Sequence, residues 1–194
     1  MLRKKLQNYN IILASGSARR QQLLKELGLE FVVKKIDIDE SDYPKYLHGN
    51  EITGYLAEQK ANAYEEELKD KDILITADTL VRFSGKILGK PKNTAEAKKM
   101  LSDISGQHHE VITSICIRTK KSTKIINDTT IVYFEELTPE EIDFYIENYK
   151  PFDKAGAYGI QEWIGYIGVK KIDGSFFTVM GFPVHKFYKE MMKF

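Results

Sequence analysis

Ile11, Ile12, Leu13 and Ala14 form an uninterrupted apolar run that is too short for a helix and is followed at once by Ser15-Gly16-Ser17, a turn. Such a run reads as a short buried strand. The residues beyond the turn place Leu23, Leu24 and Leu27 on one helical face. Ile73-Leu74-Ile75 makes a second buried strand, which ends at Ala77-Asp78-Thr79. Buried strands ending on small polar residues and alternating with amphipathic helices point to an α/β sheet rather than a bundle or an all-β sandwich.

The remaining pattern fills in that sheet. Residues 31–35 are a strand candidate, and 51–68 are helical, with Ile52, Tyr55, Leu56 and Ala63 in one stripe. Residues 80–88 read as a hairpin turning at Ser84-Gly85, and Asn93 with Glu96 opens a helix that stops at Gly106. Two β-rich runs, 111–118 and 124–134, face each other across the polar turn 120–123. Thr138-Pro139-Glu140-Glu141 is a strong helix start. A Gly-rich loop at 154–161 precedes strands expected at 167–172 and 176–179 and a last helix after Pro183. Parallel-type and hairpin-type strands together predict a mixed β-sheet flanked by helices. No repeat or Pro/Gly/Ser linker suggests a cut, so residues 1–194 are expected to be one domain.

Composition narrows the function. With 29 Lys+Arg against 28 Asp+Glu the net charge is +1, which argues against a general nucleic-acid binder, because counterion-driven affinity needs a basic excess. At 42% hydrophobic and 29% charged residues the chain is an ordinary globular one. Its one cysteine, Cys116, has no internal partner and reads as a small core residue. The basic start MLRKKLQNYN precedes an apolar run far too short for a leader or a membrane span. A cytoplasmic protein, free of membrane, is expected.

Six places could carry chemistry. In Ser15-Gly16-Ser17-Ala18-Arg19-Arg20 two arginines sit in a first helical turn, where the helix already carries partial positive charge. An anion would correct that, and a phosphate could take Ser15, Ser17, backbone N–H groups and a bidentate arginine together. The plainer reading makes Ser17 an N-cap and leaves the arginines solvated. Asp78, at a strand end, could bind a cation, orient water or take its proton; a turn cap is the alternative. Asp37, Asp39 and Glu40 form an acidic cluster that matters only if it converges on Asp78. Lys60 flanks the apolar stripe of its helix, as a snorkelling lysine would too. Lys90, before Pro91, could point back toward Asp78. The small residues of 154–161 would let backbone approach a flat ligand, with Gln161 able to read a base edge; a packed turn with Tyr158 and Ile160 in the core is the other reading. His48, His108, His109 and His185 have no metal-ligand spacing, with His108-His109 opening a strand as a polar pair. No serine lies in a G-x-S-x-G elbow.

Taken in order, LASGSARRQQLL (13–24), DIDES (37–41), LAEQKANA (56–63), ADT (77–79), LGKP (88–91), LSDISGQHHEVIT (101–113), DKAGAYGIQ (153–161) and VKKIDGSFFTVMGFPV (169–184) resemble the Maf family of nucleoside triphosphate pyrophosphatases. The resemblance implies an elongated mixed sheet with a cleft between two lobes, similar to the inosine triphosphate pyrophosphatases and often dimeric. It implies hydrolysis of a nucleoside triphosphate between its α and β phosphates, giving the monophosphate and pyrophosphate, with a divalent cation, Mg²⁺ or Mn²⁺. On this reading Asp78 is the catalytic carboxylate and shares the metal with Glu40. Ser15, Ser17, Arg20, Lys60 and Lys90 hold phosphates. The subtype acting on dTTP and UTP carries an arginine, a threonine and a glutamine that fall here at Arg19, Thr79 and Gln161. Ala18 stands where proline is usual, Phe182 replaces leucine, and Glu162 replaces a common glycine beside Gln161. The family is also linked to inhibition of septum formation, so a nucleotide-binding regulator is the rival reading. A pyrophosphatase directed at GTP or ITP would share the chemistry and differ at the base.

Overall fold

The structure, a computed structural model, describes residues 1–36 and 38–194; Asp37, in the acidic cluster, lies outside the described residues. In chain order the elements are α1 (Leu2–Lys5), β1 (Asn10–Ala14), α2 (Ala18–Glu26), β2 (Val32–Lys34), α3 (Asn50–Asn62), β3 (Asp72–Phe83), β4 (Lys86–Leu88), α4 (Thr94–Ile104) and β5 (His108–Arg118). They continue as β6 (Thr123–Phe134), α5 (Pro139–Tyr149), α6 (Trp163–Gly168), β7 (Val169–Asp173), α7 (Phe176–Val179) and α8 (Val184–Met191). The strands hydrogen-bond in the order β2-β1-β3-β5-β6-β7, with β4 on β3. β1 runs parallel to β2 and β3, whereas β4 and β7 are antiparallel to β3 and β6. The mixed, helix-flanked sheet is therefore as expected. The chain divides into two compact units, one of Met1–Asp78, Thr113–Asp128 and Gly181–Phe194, the other of Thr79–Ile112 and Thr129–Met180.

In the first unit α3 lies on the sheet through small residues. Ala57 and Ala61, one turn apart, pack with Ile12, Ala14, Leu74 and Cys116. Thr76 Oγ1 donates to the Ala57 carbonyl at 2.5 Å, tying the helix to β3. Leu13, Ile73 and Ile75 are fully buried, each contributing about 1.5–3 kcal/mol of burial. The close approach of α3 to β3 sets the depth at which Lys60, in the last turn of the helix, meets the sheet.

In the second unit β3 reverses into β4 through Ser84 (φ 48°) and Gly85 (φ 76°), the two positive values that a two-residue turn of this hand requires. Thr138 caps α5 by accepting the Glu141 N–H at 3.2 Å while Glu141 accepts the Thr138 N–H at 2.8 Å, and α4 packs beside α5 with Lys98 and Asp143 paired at 2.6 Å. His109 is buried in β5, with Nε2 2.7 Å from Tyr158 Oη and Nδ1 without a partner. Burial pushes its pKa down to about 4, so the ring is neutral near pH 7.

Four local expectations need correction. The strand expected to end at Ala77-Asp78-Thr79 runs on unbroken to Phe83, so Asp78 lies inside β3 and not at its end. Residues 176–179 form a helical turn, not a strand. Gly174 (φ 130°) swings the chain away from the sheet, and Thr130 Oγ1 holds both the N–H and the carbonyl of Ser175, so the β-favouring Phe-Phe-Thr-Val is overridden. The helix read as 51–68 stops at Asn62 and continues only as a 3-10 turn at Glu65–Glu67, because Tyr64 and Leu68 leave the helical path to enter the core. The strand expected from 167 begins at Val169, after a short helix that the sequence pattern did not separate.

Candidate active site

β1 delivers the chain to Ser15, which is buried, and Ser17 caps α2 by accepting the Arg20 N–H at 3.5 Å. Ser15 Oγ in turn accepts the Ser17 N–H at 3.3 Å. The capping reading of Ser17 is thus correct. It does not leave Arg20 in solvent, because the first turn of α2 aims the guanidinium back at the sheet. Arg20 donates from Nε to Gly181 O at 2.9 Å, and from Nη1 to Ala77 O at 2.9 Å and Ser15 Oγ at 3.2 Å. Burial lowers its pKa, as does Arg19 beside it, while Asp78 and Glu40 raise it.

Ala77 and Asp78 follow one another midway along β3, both buried. Lys60 reaches this point from α3: its Nζ lies 2.7 Å from Asp78 Oδ1, 2.8 Å from Glu40 Oε1 and 3.5 Å from Ala77 O. Lys60 and Asp78 are both nearly inaccessible, whereas the side chain of Glu40 is 42% exposed. The acidic loop therefore does converge on Asp78 through Glu40, and Lys60 is buried rather than snorkelling. Desolvation raises the pKa of Asp78; Lys60 and Arg20 pull it down, and Glu40 adds to the rise. A buried carboxylate whose affinity for a proton is raised is suited to act as a base.

Asp39 is turned inward on its own loop, accepting from the Ser41 N–H at 2.9 Å and Ser41 Oγ at 2.6 Å. Those bonds hold its carboxyl below the usual range. Arg19 is half-buried on the first turn of α2. Thr79, Lys90 and Gln161 belong to the second unit. There Lys90 is exposed, and its neighbour Gly89 accepts the Gly156 N–H at 3.1 Å, tying the 88–91 segment to the Gly-rich loop. Gln161 Oε1 is buried without a partner. Tyr158 and Ile160 of that loop are core residues, as the packed-turn reading holds.

The structure adds participants that sequence reasoning passed over. Ala77 and Gly181 serve Arg20 through main-chain carbonyls, which carry no side-chain signal. Among the described residues no group of three or more His, Cys, Asp or Glu could hold a metal unaided. Glu40 and Asp78 nevertheless bring two hard oxygen donors onto one cationic centre. That suits Mg²⁺ or Mn²⁺, which take one or two carboxylates and draw their other ligands from water and substrate phosphates. No helix among the described residues is long and apolar enough to cross a membrane.

Fold and site together define a mixed α/β protein with a centre of paired cations and carboxylates built on β3. The chain belongs to the Maf family: the model of Maf-like proteins matches residues 10–194. It is 52% identical to a dTTP/UTP pyrophosphatase of Flavobacterium johnsoniae, with 97% of both chains covered. The corresponding protein of Christiangramia forsetii is 50% identical over 98% of this chain and 97% of its own. That of Bacteroides thetaiotaomicron is 48% identical over 97% of each. Among solved structures, the Staphylococcus aureus Ham1 protein is 17% identical with a TM-score of 0.46, covering 81% of this chain and 90% of that one.

Proposed function

We propose that this chain hydrolyses dTTP and UTP to the monophosphate and pyrophosphate, residues 1–194 acting as one cytoplasmic catalytic domain. The observation that carries the reading is the buried Asp78 carboxylate, tied to Lys60 at 2.7 Å and raised in proton affinity by its surroundings. A regulator that only bound nucleotide would need the Ser15–Arg20 turn but no such group.

Asp78 orients a water molecule and takes its proton as the oxygen attacks the α-phosphorus. The bond from that phosphorus to the bridging oxygen breaks, and pyrophosphate leaves with the electron pair. Positioning and charge neutralisation supply most of the acceleration. Arg20 and the hydroxyls of Ser15 and Ser17 bind phosphate oxygens. Lys60 joins them by exchanging a carboxylate for a phosphate oxygen, and Lys90 adds a further cation. Glu40 and Asp78 would hold the divalent ion, which neutralises charge on the triphosphate. Arg19, Thr79 and Gln161 select the pyrimidine base, and two copies of the chain assemble as a homodimer.

UTP, dTTP, CTP, ITP and 7-methyl-GTP should be compared side by side with Mg²⁺, scoring monophosphate and pyrophosphate. UTP and dTTP should be turned over fastest, a chelator should stop the reaction, and added Mg²⁺ should restore it. Binding of UTP without product would favour the regulator.

A further inference from the structure

Glu162 directly follows Gln161, and its side chain turns largely away from solvent into a polar network. Tyr145, fully buried on α5, donates its hydroxyl proton to Glu162 Oε2 and accepts the Gly159 N–H at 2.9 Å. Lys154 Nζ, with 9% of its side chain exposed, lies 3.1 Å from Glu162 Oε1 and also pairs with Asp153 at 2.8 Å. The Glu162 N–H donates to Gly159 O at 3.0 Å. A Cβ on Gly159 would meet the Glu162 carboxylate at 2.8–3.1 Å, so a larger residue there would displace that carboxylate from its place over the loop.

Gly159 and Glu162 are thereby fastened to each other and to one tyrosine, with Lys154 joined to them through Glu162, and Gln161 lies between Gly159 and Glu162. Its own Oε1 is buried and makes no bond within the protein, so nothing in its side-chain contacts fixes that acceptor. What fixes it is the backbone. We infer that Glu162, with Tyr145 and Lys154, is a positioning device for base selection: it sets the path of residues 159–162 and hence the direction in which Gln161 presents its amide. This rests on the reading of Gln161 as the base-selecting residue.

A buried ion pair held by a tyrosine is a costly way to gain stability alone, since such pairs often contribute little net and their use lies in fixing one arrangement. The network also explains why a carboxylate next to the base-selecting residue need not repel a nucleotide. Its charge is spent on Lys154 and Tyr145.

The test compares wild type with Glu162→Gly, Glu162→Gln and Tyr145→Phe, measuring kcat and KM for UTP, dTTP and CTP and amide hydrogen exchange at residues 159–162. Glu162→Gly should raise KM for UTP about tenfold, leave kcat within about twofold, narrow the preference for UTP over CTP, and speed exchange at Gly159 and Gln161. Glu162→Gln, which can still accept from Tyr145, should recover much of the preference. Tyr145→Phe should resemble Glu162→Gly. A lowered melting temperature with KM, base preference and exchange unchanged would overturn the inference and leave Glu162 a packing residue. A wild type that releases no pyrophosphate from any of these substrates would overturn the functional reading and the selection role with it. Exchange would still decide whether the three residues brace the loop.

Discussion

The Ser15–Asp78 region and the 154–162 loop solve opposite problems with the same materials. In the first, the buried charges are paired within the site: Arg20 on two main-chain carbonyls, and Lys60 on Asp78 and Glu40. In the second, the charges of Lys154 and Glu162 are consumed beneath the loop, while the group proposed to face the ligand, Gln161, keeps a buried acceptor without a partner. On the function proposed, the first region exchanges its charge with a triphosphate, and the second holds its loop so that a neutral amide discriminates. Arg19 apart, the first should therefore govern turnover and the second choice of base, and substitutions in each should separate along that line.

The largest expected effect is at Asp78. Asp78→Asn should leave the far-ultraviolet spectrum and cooperative melting intact while lowering kcat by about 1000-fold, within the range for loss of a general base. Because burial places the folded pKa of Asp78 above its unfolded value near 3.8, the stability linked to this group is fully present below that value and declines as pH rises through the folded one. Asn removes that decline, which denaturant melts across pH will show.

Arg20→Ala comes next. It removes the donor to Ala77 O, Gly181 O and Ser15 Oγ, and should cost about 100-fold in kcat/KM for UTP, as removal of a preorganised donor does. CTP should suffer equally, since no base contact is lost. A change in base preference would erase the division of labour between the two regions.

Smaller effects sharpen the comparison. The acid limb of the kcat/KM profile should lie above the ordinary carboxylate range. Lys60→Met should move it higher still, because the ammonium pulls Asp78 down. His109, in the second unit, should change stability rather than chemistry. Its folded pKa, about 4, is below the reference 6.5, so its contribution is present above 6.5 and lost as pH falls through 4. That contribution is about 3 kcal/mol at most, and His109→Gln should remove the pH dependence while leaving kcat for UTP near wild type.

The sheet was readable because buried strands announce themselves: 11–14 and 73–75 are apolar throughout, and Ser84-Gly85 and Thr138-Pro139 carry local turn and cap chemistry. The turn at 176–179 was not, because its geometry is imposed by Thr130, more than forty residues earlier in the chain. The charged site was legible in kind: Ser15, Arg20, Lys60, Glu40 and Asp78 were each marked by residue type and placement, and they meet. Its wiring was not, since Ala77 and Gly181 act through carbonyls that every residue possesses. Sequence flagged Glu162 as out of pattern but could not say that Tyr145 and Lys154 neutralise it, a relation that exists only once α5 is folded beside the loop.

The account stands or falls on Asp78 activating water against the α-phosphorus. Turnover of UTP in water enriched in heavy oxygen, followed by mass spectrometry of both products, tests this directly. The account predicts one labelled oxygen in UMP, none in pyrophosphate, and near-complete loss of both products with Asp78→Asn. Label in the pyrophosphate, or an Asp78→Asn chain that still releases it at the wild-type rate, would contradict it.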